Sequence, residues 1–155
     1  EKKLNVETQF KKKAWEGEGD LGPRRMIPDI TIWDRDICKH IIDVKYKTKD
    51  ISTGDLYQLG FYIHEFSKLN DDIESDLGIN QDDRDGKIEH AIALTPKFPE
   101  AKFGKYTSLT NKQVFVKRID IDACLKYLKN IDNKKSKEDL FGMIDDWIKP
   151  NVPLN

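Results

Sequence analysis

The first third of the chain alternates apolar and polar residues with the two-residue period of β-strands. Residues 4–15 predict one strand, and the glycine- and proline-containing residues 16–24 predict a loop. Residues 25–33 and 37–47 predict two more strands, which pair as an antiparallel hairpin around a turn at residues 34–36. The residues expected to share one face of the first strand are Leu4, Val6, Thr8 and Phe10.

A helix is predicted after this hairpin. Ser52 and Asp55 have the spacing of a capping box, with Asp in place of the usual Glu, and the helix that they begin runs to about residue 70. Residues 71–86 are acidic and poor in apolar side chains, so they predict a solvated loop. The apolar stripe of the helix consists of Leu56, Leu59, Ile63 and Phe66.

The second half predicts strands at residues 87–95 and 113–119, with a loop between them. Asp120 is a candidate cap for a short helix through Asn130, and Ser136 for a final helix that stops before Pro150. The expected inward residues of these two helices are Ile121, Cys124, Leu125, Leu128, Leu140, Ile144, Trp147 and Ile148. The order of elements predicts a single mixed α/β domain over residues 1–155, with a central sheet.

Composition narrows the possible functions only slightly. Lysine and arginine number 27 and aspartate and glutamate 28, so any affinity for nucleic acid must come from local clusters of charge. Cys38 and Cys124 lie far apart, which argues against zinc and iron–sulfur sites and suits a reducing cytoplasm. No apolar run approaches the roughly 18 residues of a membrane span, and no signal peptide opens the chain. Because it begins at Glu1, we expect a fragment of a longer protein.

Two neighbouring predicted strands carry acidic residues where apolar ones are expected. On the predicted strand over residues 37–47, Asp43 and Lys45 share a face with Ile41. On the predicted strand over residues 25–33, Asp29 follows Pro28. If the strands pair, Asp29, Asp43 and Lys45 converge on one face of the sheet. A surface ion pair between Asp43 and Lys45 is the alternative, because such a pattern arises easily in a chain with 35% charged residues.

This trio suits metal-dependent hydrolysis of a phosphodiester. Mg²⁺ prefers carboxylate oxygens and waters, and bound Mg²⁺ lowers the pKa of a water and polarises a phosphate. The ammonium of Lys45 would then neutralise charge in the transition state or position the water. Gln58 and Tyr62 lie at i and i+4 on one flank of the predicted helix, where they can support the site or contact the DNA backbone.

The stretches MIPDITIW, IIDVKYK and DLYQLGFYIHEF, within about residues 4–66, together resemble the nuclease core of the McrC family. McrC is the endonuclease subunit of McrBC modification-dependent restriction systems and has a PD-(D/E)xK restriction-endonuclease-like core. The family's motifs match Pro28-Asp29, Asp43-Val44-Lys45 and Gln58 with Tyr62. The resemblance implies Mg²⁺, with Mn²⁺ as a substitute, held by Asp29, Asp43 and the carbonyl of Val44, and Lys45 as the catalytic cation.

The resemblance also implies partners and leaves gaps. It implies DNA as substrate and an McrB-like AAA+ GTPase as motor, bound through a region that is absent here. Many related nucleases carry an acidic residue on a preceding helix, which this sequence does not show; Glu7, Glu16 and Glu18 are the nearest acids. The candidate phosphate-binding lysines are Lys47, Lys11, Lys12 and Lys13.

Two alternatives to this assignment remain open. A RecB-like exonuclease shares the same motifs, although its iron–sulfur versions need four cysteines and this chain has two. A DNA-binding or scaffold module that kept the fold and lost the activity is the other alternative. The intact set of Asp29, Asp43 and Lys45 favours an active enzyme.

Overall fold

A computed structural model describes residues 4–18, 22, 24–47, 50–80, 86–88, 90–100 and 102–149. Eight strands and three helices lie within these residues. In chain order they are β1 (Leu4–Thr8), β2 (Lys12–Trp15), β3 (Arg24–Met26), β4 (Ile30–Asp34), β5 (Ile37–Val44), α1 (Thr53–Asp76), β6 (His90–Pro96), β7 (Gly104–Thr107), β8 (Gln113–Ile119), α2 (Ile121–Lys129) and α3 (Lys134–Ile148).

Six of these strands form one mixed sheet in the order β1-β4-β5-β6-β8-β7. Strands β5, β6 and β8 run parallel, so their carboxyl ends meet at one edge of the sheet. Strands β1, β4 and β7 join antiparallel, and β2 and β3 form a separate two-stranded ribbon. The amino end of β4 therefore lies at the same edge as the carboxyl end of β5.

Helices cover both faces of this sheet. Helix α1 packs on one face, against a buried cluster that includes Trp33, Ile41 and Ala93. The other face carries a smaller cluster of aliphatic and aromatic residues, on which Trp147 and Ile148 of α3 pack. The predicted mixed fold with a central sheet flanked by helices is confirmed. In the described part of the chain, no helix combines the length and the apolar character that crossing a membrane requires.

The prediction of one strand over residues 4–15 was wrong. Gln9 has a φ of 52°, a left-handed conformation that ends β1 and redirects the chain into β2. Leu4 and Val6 are exposed on this edge strand. Phe10 leaves their face and packs instead on Trp33 and Phe66, with ring centroids at 5.0 and 5.5 Å.

The strand predicted over residues 25–33 is also divided. Pro28, which is fully buried and has no N–H to donate to a ladder, lies between β3 and β4. The hairpin of β4 and β5 is antiparallel as predicted, with a bulge beside Ile32. Strand β5 ends at Val44 rather than at Lys47.

Helix α1 continues to Asp76, so the predicted loop over residues 71–86 was wrong in its first part. Asn70 is fully buried, and its amide bonds both backbone groups of Cys38 at 2.9 and 2.8 Å. Glu74 is also buried and accepts the N–H of Gly86 at 3.1 Å. Because these polar side chains have partners inside the fold, the acidic composition did not indicate solvation. Residues 81–85 of that predicted loop lie outside the described residues.

In the second half of the chain, the bounds of some elements and one helix cap differ from the prediction. Strand β6 begins at His90, later than the predicted residue 87, and β7 lies inside a segment predicted as loop. Strand β8 has the predicted bounds, and Asp120 caps α2 by accepting the N–H of Ala123 at 2.9 Å. Asn133, not Ser136, caps α3. Of the residues predicted inward on α2, only Cys124 is buried.

Candidate active site

The meeting of β4 and β5 at the sheet edge positions Asp29. The last pair of their ladder is Ile30 with Ile42, so Val44 extends past the end of β4. The carboxylate of Asp29 takes the place of the missing strand by accepting the N–H of Val44 at 2.7 Å. On its other side, the backbone carbonyl of Asp29 accepts the N–H of Gln9 at 2.8 Å, which fixes the residue between two segments.

Asp43 lies one residue before Val44, on the face of the sheet that α1 covers. Its side chain is only 6% exposed and forms an ion pair with the ammonium of Lys45. Burial raises the pKa of Asp43, the negative charge of Asp29 adds to that rise, and the contact with Lys45 opposes it. The position of Asp29 beside the buried carboxylate of Asp43 favours the approach of a cation.

Lys45 connects the strand end to helix α1. Its ammonium contacts Asp43, donates to Oε1 of Gln58 at 2.5 Å and lies 3.4 Å from Oδ1 of Asp55. Burial alone would lower the pKa of Lys45, but the contacts with Asp43 and Asp55 outweigh burial and raise it. Lys45 therefore remains a positive charge at neutral pH, oriented by three partners.

Gln58 and Tyr62 lie beside each other on α1, as their i and i+4 spacing predicted. Nε2 of Gln58 donates to the hydroxyl of Tyr62 at 2.9 Å, while its Oε1 accepts from Lys45. Tyr62 is 3% exposed, and burial followed by the charge of Asp43 raises its pKa. Because its ring is buried, Tyr62 contacts the site through its hydroxyl, which accepts from the amide of Gln58.

Asp55 belongs to the site, although the sequence indicated only its capping role. The N–H of Ser52 donates to Oδ2 of Asp55 at 2.7 Å, and the N–H of Asp55 donates to Oγ of Ser52 at 3.2 Å. Burial favours a higher pKa, but the hydrogen bonds from Ser52 and the charge of Lys45 lower the pKa of Asp55 to about 2. The available signal was its position, one helical turn before Gln58.

The predicted DNA-binding lysines lie in two places. Lys47 is 3.4 Å from Oδ2 of Asp55, which puts it at the rim of the site. Lys12 instead donates to the backbone carbonyl of Glu65 at 3.4 Å, seven residues along α1 from Gln58 and therefore about 10 Å away along the helix. Exposed Lys11 and Lys13 belong to the same segment as Lys12. The structure thus brings Lys47, and not that basic run, to the site.

Mg²⁺ suits the oxygen atoms that this site offers. The described residues contain no group of three or more His, Cys, Asp or Glu side chains that could hold a metal ion. Asp29 and Asp43 are two carboxylates that could contribute ligands at the strand end. Mg²⁺ commonly binds through one or two carboxylates and keeps several waters. The carboxylates of Asp29 and Asp43 at the strand end could provide such ligands, with the neighbouring carbonyl of Val44 as a further oxygen.

Comparison with profiles of known protein families, with curated proteins and with solved structures finds no match to this chain.

Proposed function

We propose that this chain is a Mg²⁺-dependent DNA endonuclease domain of the PD-(D/E)xK type. The observation that carries the proposal is the convergence of Asp29, Asp43 and Lys45 at the carboxyl end of β5. An accidental surface ion pair would be exposed, whereas the side chains of Asp43 and Lys45 are only 6% and 12% exposed. Lys45 also has two further partners on α1, which fix where its charge lies.

Each residue has a role in hydrolysis of a phosphodiester. Asp29 and Asp43, with the carbonyl of Val44, would hold Mg²⁺, which when bound lowers the pKa of a water and polarises the phosphate. Lys45 places a fixed positive charge where negative charge grows on the phosphate oxygens. Gln58 holds the Lys45 ammonium in place, and Lys47 at the rim attracts the DNA backbone.

The proposed biological setting follows the sequence resemblance. We infer an McrC-like subunit in a system that restricts modified DNA in the cytoplasm, driven by an McrB-like AAA+ GTPase. The order of Pro28-Asp29, Asp43-Val44-Lys45, Gln58 and Tyr62 supports this inference. The hydrogen bonds that join Lys45 to Gln58 and Gln58 to Tyr62 support the inference further, because they connect residues of two separate sequence motifs.

Plasmid nicking tests the proposed activity. Supercoiled circular DNA is incubated with the chain and Mg²⁺ or Mn²⁺, beside Asp43→Ala and Lys45→Ala. Asp145→Ala and Lys149→Ala are the matched controls, because these residues form an ion pair on the surface of α3. We expect nicking by the parent and both controls, and at least a hundredfold slower nicking by the two site variants.

The same assay separates the alternatives. Circular DNA has no ends, so a RecB-like exonuclease would degrade only linear DNA and leave the plasmid intact. Nicking that persists in Asp43→Ala would overturn the assigned site. No cleavage of either DNA, even with an McrB-like GTPase added, would leave an inactive DNA-binding module as the better description.

A further inference from the structure

A groove of about 520 Å³ opens on the same sheet edge as the candidate active site. It lies where the parallel strands β5, β6 and β8 end, on the face of the sheet opposite α1. Its walls combine apolar and charged side chains, and its volume is within the range of small-ligand sites. Lining residues include Tyr46, Pro96, Lys97, Phe98, Arg118 and Ile121.

Two tight turns present aromatic rings at this groove. The N–H of Lys47 donates to the carbonyl of Lys45 at 2.8 Å, and the N–H of Phe98 donates to the carbonyl of Pro96 at 2.9 Å. These three-residue turns end neighbouring strands. The rings of Tyr46 and Phe98 lie edge to face with centroids 6.1 Å apart. Tyr46 is 76% exposed, so a face of its ring is free to stack on a planar ligand.

The charges around the groove nearly cancel. Lys97 lies 3.8 Å from Oδ2 of Asp120, and Arg118 stacks over the ring of Phe103 at 3.9 Å. Asp122 is a second acid at the rim. Two cations and two acids do not favour a phosphate, which needs excess positive charge. They favour an uncharged planar group with hydrogen-bonding edges, which describes a nucleobase.

The groove adjoins the candidate active site along one strand end. Tyr46 directly follows Lys45, and the N–H of Lys45 donates to the carbonyl of Leu94 on β6 at 2.8 Å. Lys45 faces α1, whereas Tyr46 faces the groove on the other side of the sheet. A nucleic acid strand that crosses this edge can therefore place a phosphate at Lys45 and a neighbouring base at Tyr46.

We propose that this groove binds an unpaired nucleobase beside the phosphate that is cut, so cleavage takes place where the two DNA strands are locally separated, including in a supercoiled plasmid. This inference rests on the proposed nuclease function for the location of that phosphate. In a duplex, each base is covered by its neighbours, and the rings of Tyr46 and Phe98 have no free face to stack on. Aromatic stacking typically strengthens single-strand binding by roughly 5- to 100-fold per base.

Binding measured without metal tests the groove apart from the chemistry. Fluorescence anisotropy with labelled single-stranded DNA, single-stranded RNA and duplex DNA in EDTA compares the parent with Tyr46→Leu and Phe98→Leu. We expect each variant to bind single strands about tenfold more weakly and to bind duplex unchanged. Both DNA and RNA single strands should lose affinity, since stacking does not distinguish the sugar.

Tyr57→Leu is the matched control, because Tyr57 is 75% exposed but lies on α1, away from the groove. It should leave single-strand affinity unchanged. Equal losses for single strands and duplex in Tyr46→Leu, or no binding of single strands by the parent, would overturn the groove assignment.

Cleavage in Mg²⁺ separates this inference from the proposed function. If Asp43→Ala loses cleavage and Tyr46→Leu cleaves and binds normally, the nuclease assignment stands and the groove assignment is wrong. If Asp43→Ala still cleaves while Tyr46→Leu loses single-strand affinity, the groove assignment stands and the proposed active site is wrong.

Discussion

The carboxylate of Asp29 accepts the backbone N–H of Val44 at 2.7 Å, across the point where β4 ends and β5 continues. This single hydrogen bond gives Asp29 two roles. It completes the edge of the sheet, and it places a negative charge beside Asp43, whose pKa is raised by burial and further by that charge. Structural and chemical effects of changing Asp29 are therefore expected to overlap, and they need variants that separate them.

Asp29→Asn and Asp29→Ala separate the two roles. Asn keeps an oxygen that accepts the Val44 N–H but removes the charge, so stability should stay within about 0.5 kcal/mol of the parent. Ala removes the acceptor and should lower the free energy of unfolding by about 1–2 kcal/mol. Both should lose Mg²⁺ affinity, measured by isothermal titration, because each removes an anionic ligand. Retention of Mg²⁺ affinity in Asp29→Asn would contradict the assignment of Asp29 as a ligand.

Asp55 predicts a specific acid response. Its pKa is about 2 in the folded protein against an ordinary 3.8, so ionised Asp55 stabilises the fold. That stabilisation is complete above about pH 4 and is lost as the pH falls through about 2. Urea unfolding at several pH values should therefore show that the free energy of unfolding falls more steeply between about pH 4 and 2 for the parent than for Asp55→Asn.

A control on the same helix isolates this effect from other carboxylates. Asp71→Asn removes an exposed acid of α1, and its free energy of unfolding should fall below pH 4 as steeply as that of the parent. Ser52→Ala removes the capping partner and should cost about 1 kcal/mol at neutral pH. If the free energy of unfolding falls equally below pH 4 in the parent and in Asp55→Asn, the capping contacts do not hold Asp55 ionised.

The site residues that could be predicted from sequence are those fixed by local periodicity. A two-residue period placed Asp43 and Lys45 on one side of the sheet, and a helical period placed Gln58 and Tyr62 together. The approach of Asp29 to Asp43 followed from the predicted antiparallel hairpin, although the sequence predicted neither its register nor the bulge beside Ile32. The positions of these residues depend on spacings of at most four residues and on one antiparallel pairing between strands that are adjacent in sequence.

Features that depend on distant partners could not be predicted. The extension of α1 is accompanied by hydrogen bonds in which Asn70 donates to Cys38 and Glu74 accepts from Gly86, both remote in sequence, and acidic composition gives no sign of them. The groove beside Tyr46 exists because β6 and β8 end next to β5, which requires the parallel strand order. Strand β7 is four residues long and gains its regular structure from pairing with β8.

Gly86 lies at a crowded position beside α1, which predicts intolerance of a side chain. A Cβ there would come within 2.7 Å of Cβ of Asn70 and 2.6 Å of Oε2 of Glu74. Since Cβ of Asn70 is fixed by its helix, Gly86→Ala must displace the segment or α1. We expect the free energy of unfolding to fall by about 1–3 kcal/mol, measured by urea unfolding.

Gly142→Ala gives a control of opposite sign. Gly142 lies in α3 with no atom within 4 Å of an added Cβ, so alanine should stabilise the helix by up to about 1 kcal/mol. Equal responses of the Gly86 and Gly142 variants would mean that the contacts of Gly86 with α1 do not limit the fold.

Lys117 anchors helix α3 on the sheet face opposite α1. It is 5% exposed, and its ammonium donates to the backbone carbonyls of Asp146 and Lys149 at the carboxyl end of α3. Burial lowers the pKa of Lys117, so the charge is maintained at a cost in solvation. Those carbonyls have no partner within the helix itself, because a helix leaves its last four carbonyls unpaired.

Lys117→Met should therefore release the end of α3 while preserving the apolar stem of the side chain. The expected loss is about 1–3 kcal/mol in the free energy of unfolding, since the two carbonyls lose a buried charged donor. Hydrogen exchange followed by mass spectrometry should show faster exchange in residues 134–149 and little change in α1. Lys137→Met, an exposed lysine on the same helix, should leave exchange unchanged. Unchanged protection of α3 in Lys117→Met would mean that packing of Trp147 and Ile148 on the sheet holds the helix without the ammonium.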